Sequence, residues 1–181
     1  GYYMAGSYLN GQVVDSLGGG ICQVSTTLYN AVLLSELEVT ERHNHSMIVT
    51  YVDPSADAAI AESSGKDFKF VNNTQYPIYI EGITADKKIT FNIYGVETRS
   101  ASRTVDYVSE TVSETPPTVV LTPTGDNLGH ISSSSPHKGL VAQLWKVEYE
   151  NGVEVSRNII NHSTYKMSPK TINIGTAGAS P

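Results

Sequence analysis

The sequence predicts an α+β fold, with one buried helix packed on an antiparallel sheet and then an all-β second half. Three observations carry that reading. Only Ile21 to Glu36 shows apolar residues at helical spacing over several turns. Short alternating segments separated by turn residues fill most of the chain beyond it. The composition, 39% hydrophobic with 11 Tyr and many Thr and Ser, suits strands that keep one face in water.

The first segment, Tyr2 to Val14, alternates loosely around Asn10-Gly11, a strong hairpin dipeptide that leads into Gly18, Gly19 and Gly20. In the helix, Val24, Leu28, Ala31, Val32 and Ser35 share one face. Tyr29, Leu33 and Leu34 add apolar surface elsewhere, which predicts packing on more than one side. Strands are then expected at Val39 to Glu41, Ser46 to Val52, Ala58 to Ala61, Asp67 to Asn72, Pro77 to Ile83 and Lys88 to Tyr94. Together they read as a meander, closing a first domain at residues 1–97. Residues 98–117 read as an extended connector or the first strand of a second domain. Residues 118–176 are all strand, with an Asn151-Gly152 hairpin turn, and 177–181 form a tail.

The net charge of −6 and the lack of clustered Lys and Arg argue against nucleic acid as a partner, because phosphate neutralisation needs such clusters. The single cysteine excludes an internal disulfide framework. No apolar run has the length of a membrane span. The chain opens at Gly1 without an initiator methionine, so it is expected to be part of a longer protein, and its oligomeric state is left open.

Cys22 follows the triple glycine at the start of the helix, where aligned N–H groups favour a thiolate. A cysteine nucleophile needs a base, and His45 is the first candidate, with His43 beside it on an extended segment that would turn both rings to one cleft. Asp57 or Asp67 is the candidate orienter of the imidazole. A helix N-terminal Cys served by a downstream His is the arrangement of papain-like and NlpC-type thiol hydrolases. Two other readings compete. Cys22 can simply pack at the helix–sheet junction, with Arg42 paired to an acid and the histidines on a solvated turn. Alternatively Cys22, His43 and His45 can supply ligands for a structural metal such as zinc.

Gly19 and Gly20 allow a ligand close approach to the backbone, and N–H groups at Cys22 can stabilise an oxyanion. The glycines fit neither a P-loop nor a dinucleotide fingerprint, and no cofactor is expected. Gln23, Ser25 and Thr26 either cap the helix or line a ligand cleft. Trp145, beside Lys146, is a candidate for stacking on a sugar or for a half-buried strand position.

The run GGGICQVSTTLYNAVLL, followed by ERHNHS at 41–46, YVDPSADAAI at 51–60 and DFKFVN at 67–72, resembles the VanW family over residues 1–97. Departures are small: Ser35 and Glu36 stand where the family usually has small residues and glycine, and Ala56 replaces a glycine. Residues 144–176 resemble a G-five domain, a small elongated all-β module. Together the resemblances imply an extracellular or cell-wall-associated Gram-positive protein, part of a secreted or membrane-anchored chain, with peptidoglycan or another wall glycan or peptide as partner. They imply no settled activity. The expected function is a Cys-dependent peptide hydrolase or transpeptidase of the cell envelope, with a non-catalytic wall-binding module as the alternative.

Overall fold

The computed structural model describes residues 4–9, 12–18 and 20–178. Its first strands, β1 (Met4–Leu9) and β2 (Gln12–Leu17), pair antiparallel as the hairpin reading expects. The Asn10-Gly11 turn itself lies outside the described residues.

Helix α1 (Ile21–Leu34) starts without a side-chain cap. Gly20 occupies the cap position at φ 91°, a left-handed conformation that disfavours any side chain. At the other end Glu36 N–H bonds the Leu33 carbonyl and Leu37 N–H bonds that of Val32, with Glu36 at φ 55°. This is a Schellman closure with glutamate at the position glycine usually fills. The side chain has a use that glycine could not serve: the Glu36 carboxylate receives Arg103, Arg99 and Lys146. The bond from Arg103 above all holds the carboxyl well below its usual range, against the opposing effect of burial and with help from Lys146 and Arg99.

After α1 the chain forms β3 (Glu38–Glu41), paired antiparallel with β4 (Lys69–Val71). The hairpin β5 (Tyr79–Ala85) and β6 (Lys88–Tyr94) turns through Asp86 and Lys87, both at positive φ. In place of the expected single meander there are two separate two-stranded pairs, β3–β4 and β5–β6. Residues 42–60 hold no strand, which corrects the expectation at Ser46 to Val52 and Ala58 to Ala61. Burial does alternate through His45, Met47 and Val49. The backbone nevertheless finds partners among side chains: Arg42 Nε donates to the Asp57 carbonyl at 2.6 Å, and Asn30 Nδ2 to that of Ala56 at 2.9 Å. Polar main chain satisfied this way needs no neighbouring strand.

The second half comprises β7 (Arg103–Thr115), β8 (Val119–Asn127), β9 (Ile131–Ser133), β10 (Gly139–Glu150), β11 (Val153–Tyr165) and β12 (Lys170–Ala177). One antiparallel sheet has the order β11-β10-β7, so the expected connector supplies an edge strand. The other, β8-β12-β9, includes a parallel β8–β12 pair. Among the described residues the fold is α+β, one α-helix and a short 3-10 turn at Glu62–Ser64 with mostly antiparallel sheets.

Apolar packing joins the halves. Tyr29, Leu33, Ala56, Ala58 and Leu144 form one buried cluster, with Val39, Val52, Phe68 and Tyr107 against it. A second cluster sets Ile48 against Leu140, Ala142 and Tyr165. The loop 42–60 is therefore pressed between α1 and the β10–β11 face.

Candidate active site

Cys22 lies on the first turn of α1, half-buried, with Sγ donating to the Ile60 carbonyl at 3.3 Å. The segment carrying Ile60 is clamped to the helix. Ser25 Oγ donates to the Ala58 carbonyl at 2.5 Å, while Thr26 Oγ1 accepts from Ala58 N–H at 3.0 Å. Ser25 and Thr26 are both buried, so they fix the loop and do not line a ligand surface. Gln23, by contrast, is exposed beside Cys22.

His45 is buried and anchored by Asp57. Asp57 Oδ2 accepts the ring Nδ1 at 2.6 Å and the His45 backbone N–H at 2.7 Å. Nδ1 is thereby committed to the carboxylate, which directs Nε2 outward. Tyr51 Oη stands 3.3 Å from that Nε2, and Cys22 lies close enough to the ring that thiol and imidazole shift each other's titration. Cysteine, histidine and aspartate thus come together in the order of a nucleophile, a base and its orienter.

Asp57 is fully buried, and its second oxygen is equally occupied. Oδ1 accepts Arg42 Nη2 at 2.8 Å and the hydroxyl of Tyr165 from β11. Burial raises the carboxyl pKa, but the bonds from His45, the Arg42 charge and Tyr165 outweigh it and hold the group below its ordinary value. Burial likewise depresses His45, yet Asp57 and Cys22 push the imidazole up to about 9. For Cys22, burial raises the thiol, and the His45 bond together with the positive charges of His45 and Lys66 brings it below normal. Each member of the pair stabilises the charged form of the other.

His43 does not join them. Its Nε2 meets Glu41 Oε1 at 3.1 Å and the side chain is 42% exposed, because residues 42–45 are irregular and do not turn alternate side chains to one face. Asp67 is also excluded as orienter: its side chain is 55% exposed and accepts from Phe68 N–H. With His43 turned to Glu41, the Cys22, His43 and His45 metal set does not assemble. Among the described residues no cluster of His, Cys, Asp and Glu is arranged to hold a metal ion.

Gly20 is exposed with open space where a Cβ would stand, and its left-handed backbone angle by itself accounts for a glycine there. Gly19 lies outside the described residues. Trp145 is half-buried on β10. Its indole N–H donates to Glu110 at 2.5 Å, and Arg157 sits over the ring at 5.8 Å.

Several site residues escaped sequence reasoning. Arg42 pairs with an acid as one sequence reading expected, the acid being Asp57, whereas Tyr51 stands in the resembling motifs without a signal of its contact with His45. Ser55, Asn161, Ser163 and Tyr165 form a polar cluster beneath Asp57 that joins positions over 100 residues apart. No local pattern announces such a contact.

The first half of the chain, residues 1–94, matches the family described as VanW like protein. This protein belongs to the VanW family. A G5 domain match follows at residues 133–177. The VanW relative YoaR of Bacillus subtilis (strain 168), described as an uncharacterized protein, is 42% identical over 80 residues, which is 44% of this chain. The alignment covers 26% of YoaR, so the chain spans about a quarter of that relative. The IgA1 protease G5 domain structure is 23% identical with a TM-score of 0.30, covering 41% of this chain and 93% of that one. The combination of VanW and G5 domains suggests a cell-wall-associated protein. Among the described residues no helix is long and apolar enough to cross a membrane.

Proposed function

We propose that the VanW domain carries a thiol active site that acts on a peptide-like carbonyl of the cell wall, by hydrolysis or transpeptidation, outside the cell. The observation that supports this most is the 2.6 Å bond from His45 Nδ1 to Asp57 Oδ2, which orients the imidazole whose titration is coupled to that of the Cys22 thiol.

In the proposed cycle Cys22 gives its proton to His45 Nε2 and the thiolate attacks the carbonyl carbon, forming the C–S bond. The carbonyl becomes an oxyanion, for which the Cys22 N–H on the first helical turn is the proposed donor. Collapse of this intermediate breaks the C–N bond, and the His45 imidazolium protonates the departing amine. Water, or an acceptor amine in transpeptidation, then loses a proton to His45 and attacks the thioester, releasing Cys22. Asp57 holds the ring in the tautomer this cycle requires.

Wall binding without catalysis is the second reading. It is favoured by two concave surfaces that lie along the C-terminal part of α1 and β6 and are not lined by Cys22 or His45. The two readings separate on one experiment. The protein is incubated with purified peptidoglycan and with its soluble stem peptides, and its intact mass and the released amines are followed. An acyl adduct on Cys22, lost in Cys22→Ser, supports the thiol site. Retention on the wall with neither adduct nor amine release contradicts it and leaves the binding reading.

A further inference from the structure

We infer that the thiol site is completed from the second half of the chain: Tyr165 of β11 is a positioning residue for Asp57, so the two halves form one reactive unit. This rests on the proposed thiol chemistry, and it is argued from the contacts beneath the carboxylate.

The Tyr165 hydroxyl is a relay between two parts of the loop. It accepts Ser55 N–H at 2.7 Å and donates to Asp57 Oδ1. Ser55 is fully buried at φ 71°, a conformation costly for a residue with a side chain unless its surroundings hold it. Most of the holding groups come from β11, and Arg42 Nη2 adds a bond to the Ser55 carbonyl at 3.1 Å. Ser55 Oγ donates to Asn161 Oδ1 at 2.7 Å and lies 2.7 Å from Ser163 Oγ, while Asn161 Nδ2 reaches the Ser55 carbonyl at 3.1 Å. Ser163 also accepts Arg42 Nη1 at 2.9 Å, which steadies the guanidinium that pairs with Asp57. The turn that delivers Asp57 to His45 is thus shaped by a strand more than 100 residues away.

The ionisable groups facing this centre are Arg42, Tyr165 and His45 around Asp57, Cys22 and Tyr51 around His45, Lys66 near Cys22, and Tyr29 behind Arg42. Only Tyr165 among them comes from the second half. Removing its hydroxyl strips Oδ1 of one donor and leaves Ser55 N–H without its acceptor. The carboxylate then loses its fixed angle to His45, and the ring its fixed angle to Cys22.

The test uses the full chain and the rate of iodoacetamide alkylation at Cys22 against pH. The thiolate is the reacting species, so the profile reports its pKa. Tyr165→Phe is expected to displace the profile toward higher pH by about 0.5 to 1, slowing the reaction near pH 7 about three- to tenfold. Near pH 10, where every thiol is ionised, the rates are expected to converge. Ser163→Ala, which removes only the support of Arg42 and Ser55, is expected to move the profile in the same direction by less, and it carries the test if Tyr165→Phe does not fold. Val147→Ala, a fully buried position on β10 outside the polar cluster, is the control for stability alone: a lower melting temperature with the wild-type profile is expected. Wild-type profiles in both Tyr165→Phe and Ser163→Ala overturn the inference while an activated wild-type thiol leaves the proposed function standing. An ordinary thiol in the wild type overturns both.

Discussion

One oxygen of Asp57, Oδ2, lies 2.6 Å from Nδ1 of His45 and 2.7 Å from the backbone N–H of the same residue. A single carboxylate oxygen therefore fixes both the ring and the main chain of the histidine. It does so while fully buried, with the opposite oxygen on Arg42 and Tyr165.

Asp57→Asn is expected to lose this anchoring and to leave Arg42, only 7% exposed at its side chain, without its buried counter-charge. Breaking a buried ion pair from one side costs about 3–5 kcal/mol. Urea denaturation should show that loss, and ring-proton NMR should show the His45 pKa falling from about 9 toward its ordinary value.

Stability should depend on pH through the same residues. The His45 pKa is raised in the fold, so its contribution is complete below the ordinary pKa near 6.5 and lost as pH climbs through about 9. Asp57 is depressed, so its contribution is present above the ordinary value of 3.8 and lost as pH falls through its lower folded value. Cys22, held below its ordinary value, contributes in the opposite sense over the same alkaline range, so the decline that His45 imposes as pH climbs above 6.5 should show in the melting temperatures of Cys22→Ser, and adding His45→Gln should flatten it.

His43→Ala and Asp67→Ala provide the contrast, since both side chains face solvent away from the thiol. Their alkylation rates should stay within about twofold of wild type, the range ordinary surface substitutions produce. A large drop in either would mean that the loop places these residues differently.

Leu144→Ala removes a fully buried β10 side chain from the cluster that also contains Tyr29 and Leu33 of α1. A cost of about 2–5 kcal/mol is expected from calorimetry or denaturant titration. Because the cluster spans both halves of the chain, unfolding should remain a single transition.

How much of this was legible in the sequence depends on how local each signal is. The helix from Ile21, the thiol on its first turn and the hairpins at Asp86 and Asn151 depend on neighbours in the chain, and they stand where periodicity and turn residues put them. His45 was the preferred candidate base in the sequence, and the fold sets it against Asp57, but Asp57 and Asp67 were indistinguishable there as orienters. That choice depends on the path of residues 42–60, where alternating apolar residues imitate a strand although Arg42, Asn30, Ser25 and Thr26 take the backbone's hydrogen bonds. Tyr165 was not legible at all, because its role is defined by a contact 108 positions away. Glu36 illustrates the intermediate case: its departure from the usual glycine was visible, while its service as an anchor for Arg103 and Lys146 required the fold.

A thiol activated by His45 is the central claim, and the pH profile of Cys22 alkylation in wild type and His45→Ala tests it most directly. The wild type should react rapidly near neutral pH, through a thiolate formed below the usual range. His45→Ala should move the profile toward the free-cysteine value of about 8.5, and the rate near pH 7 should drop about tenfold for every pH step of about 1 that the profile moves. Superimposable profiles with an ordinary thiol titration in both proteins would contradict the account.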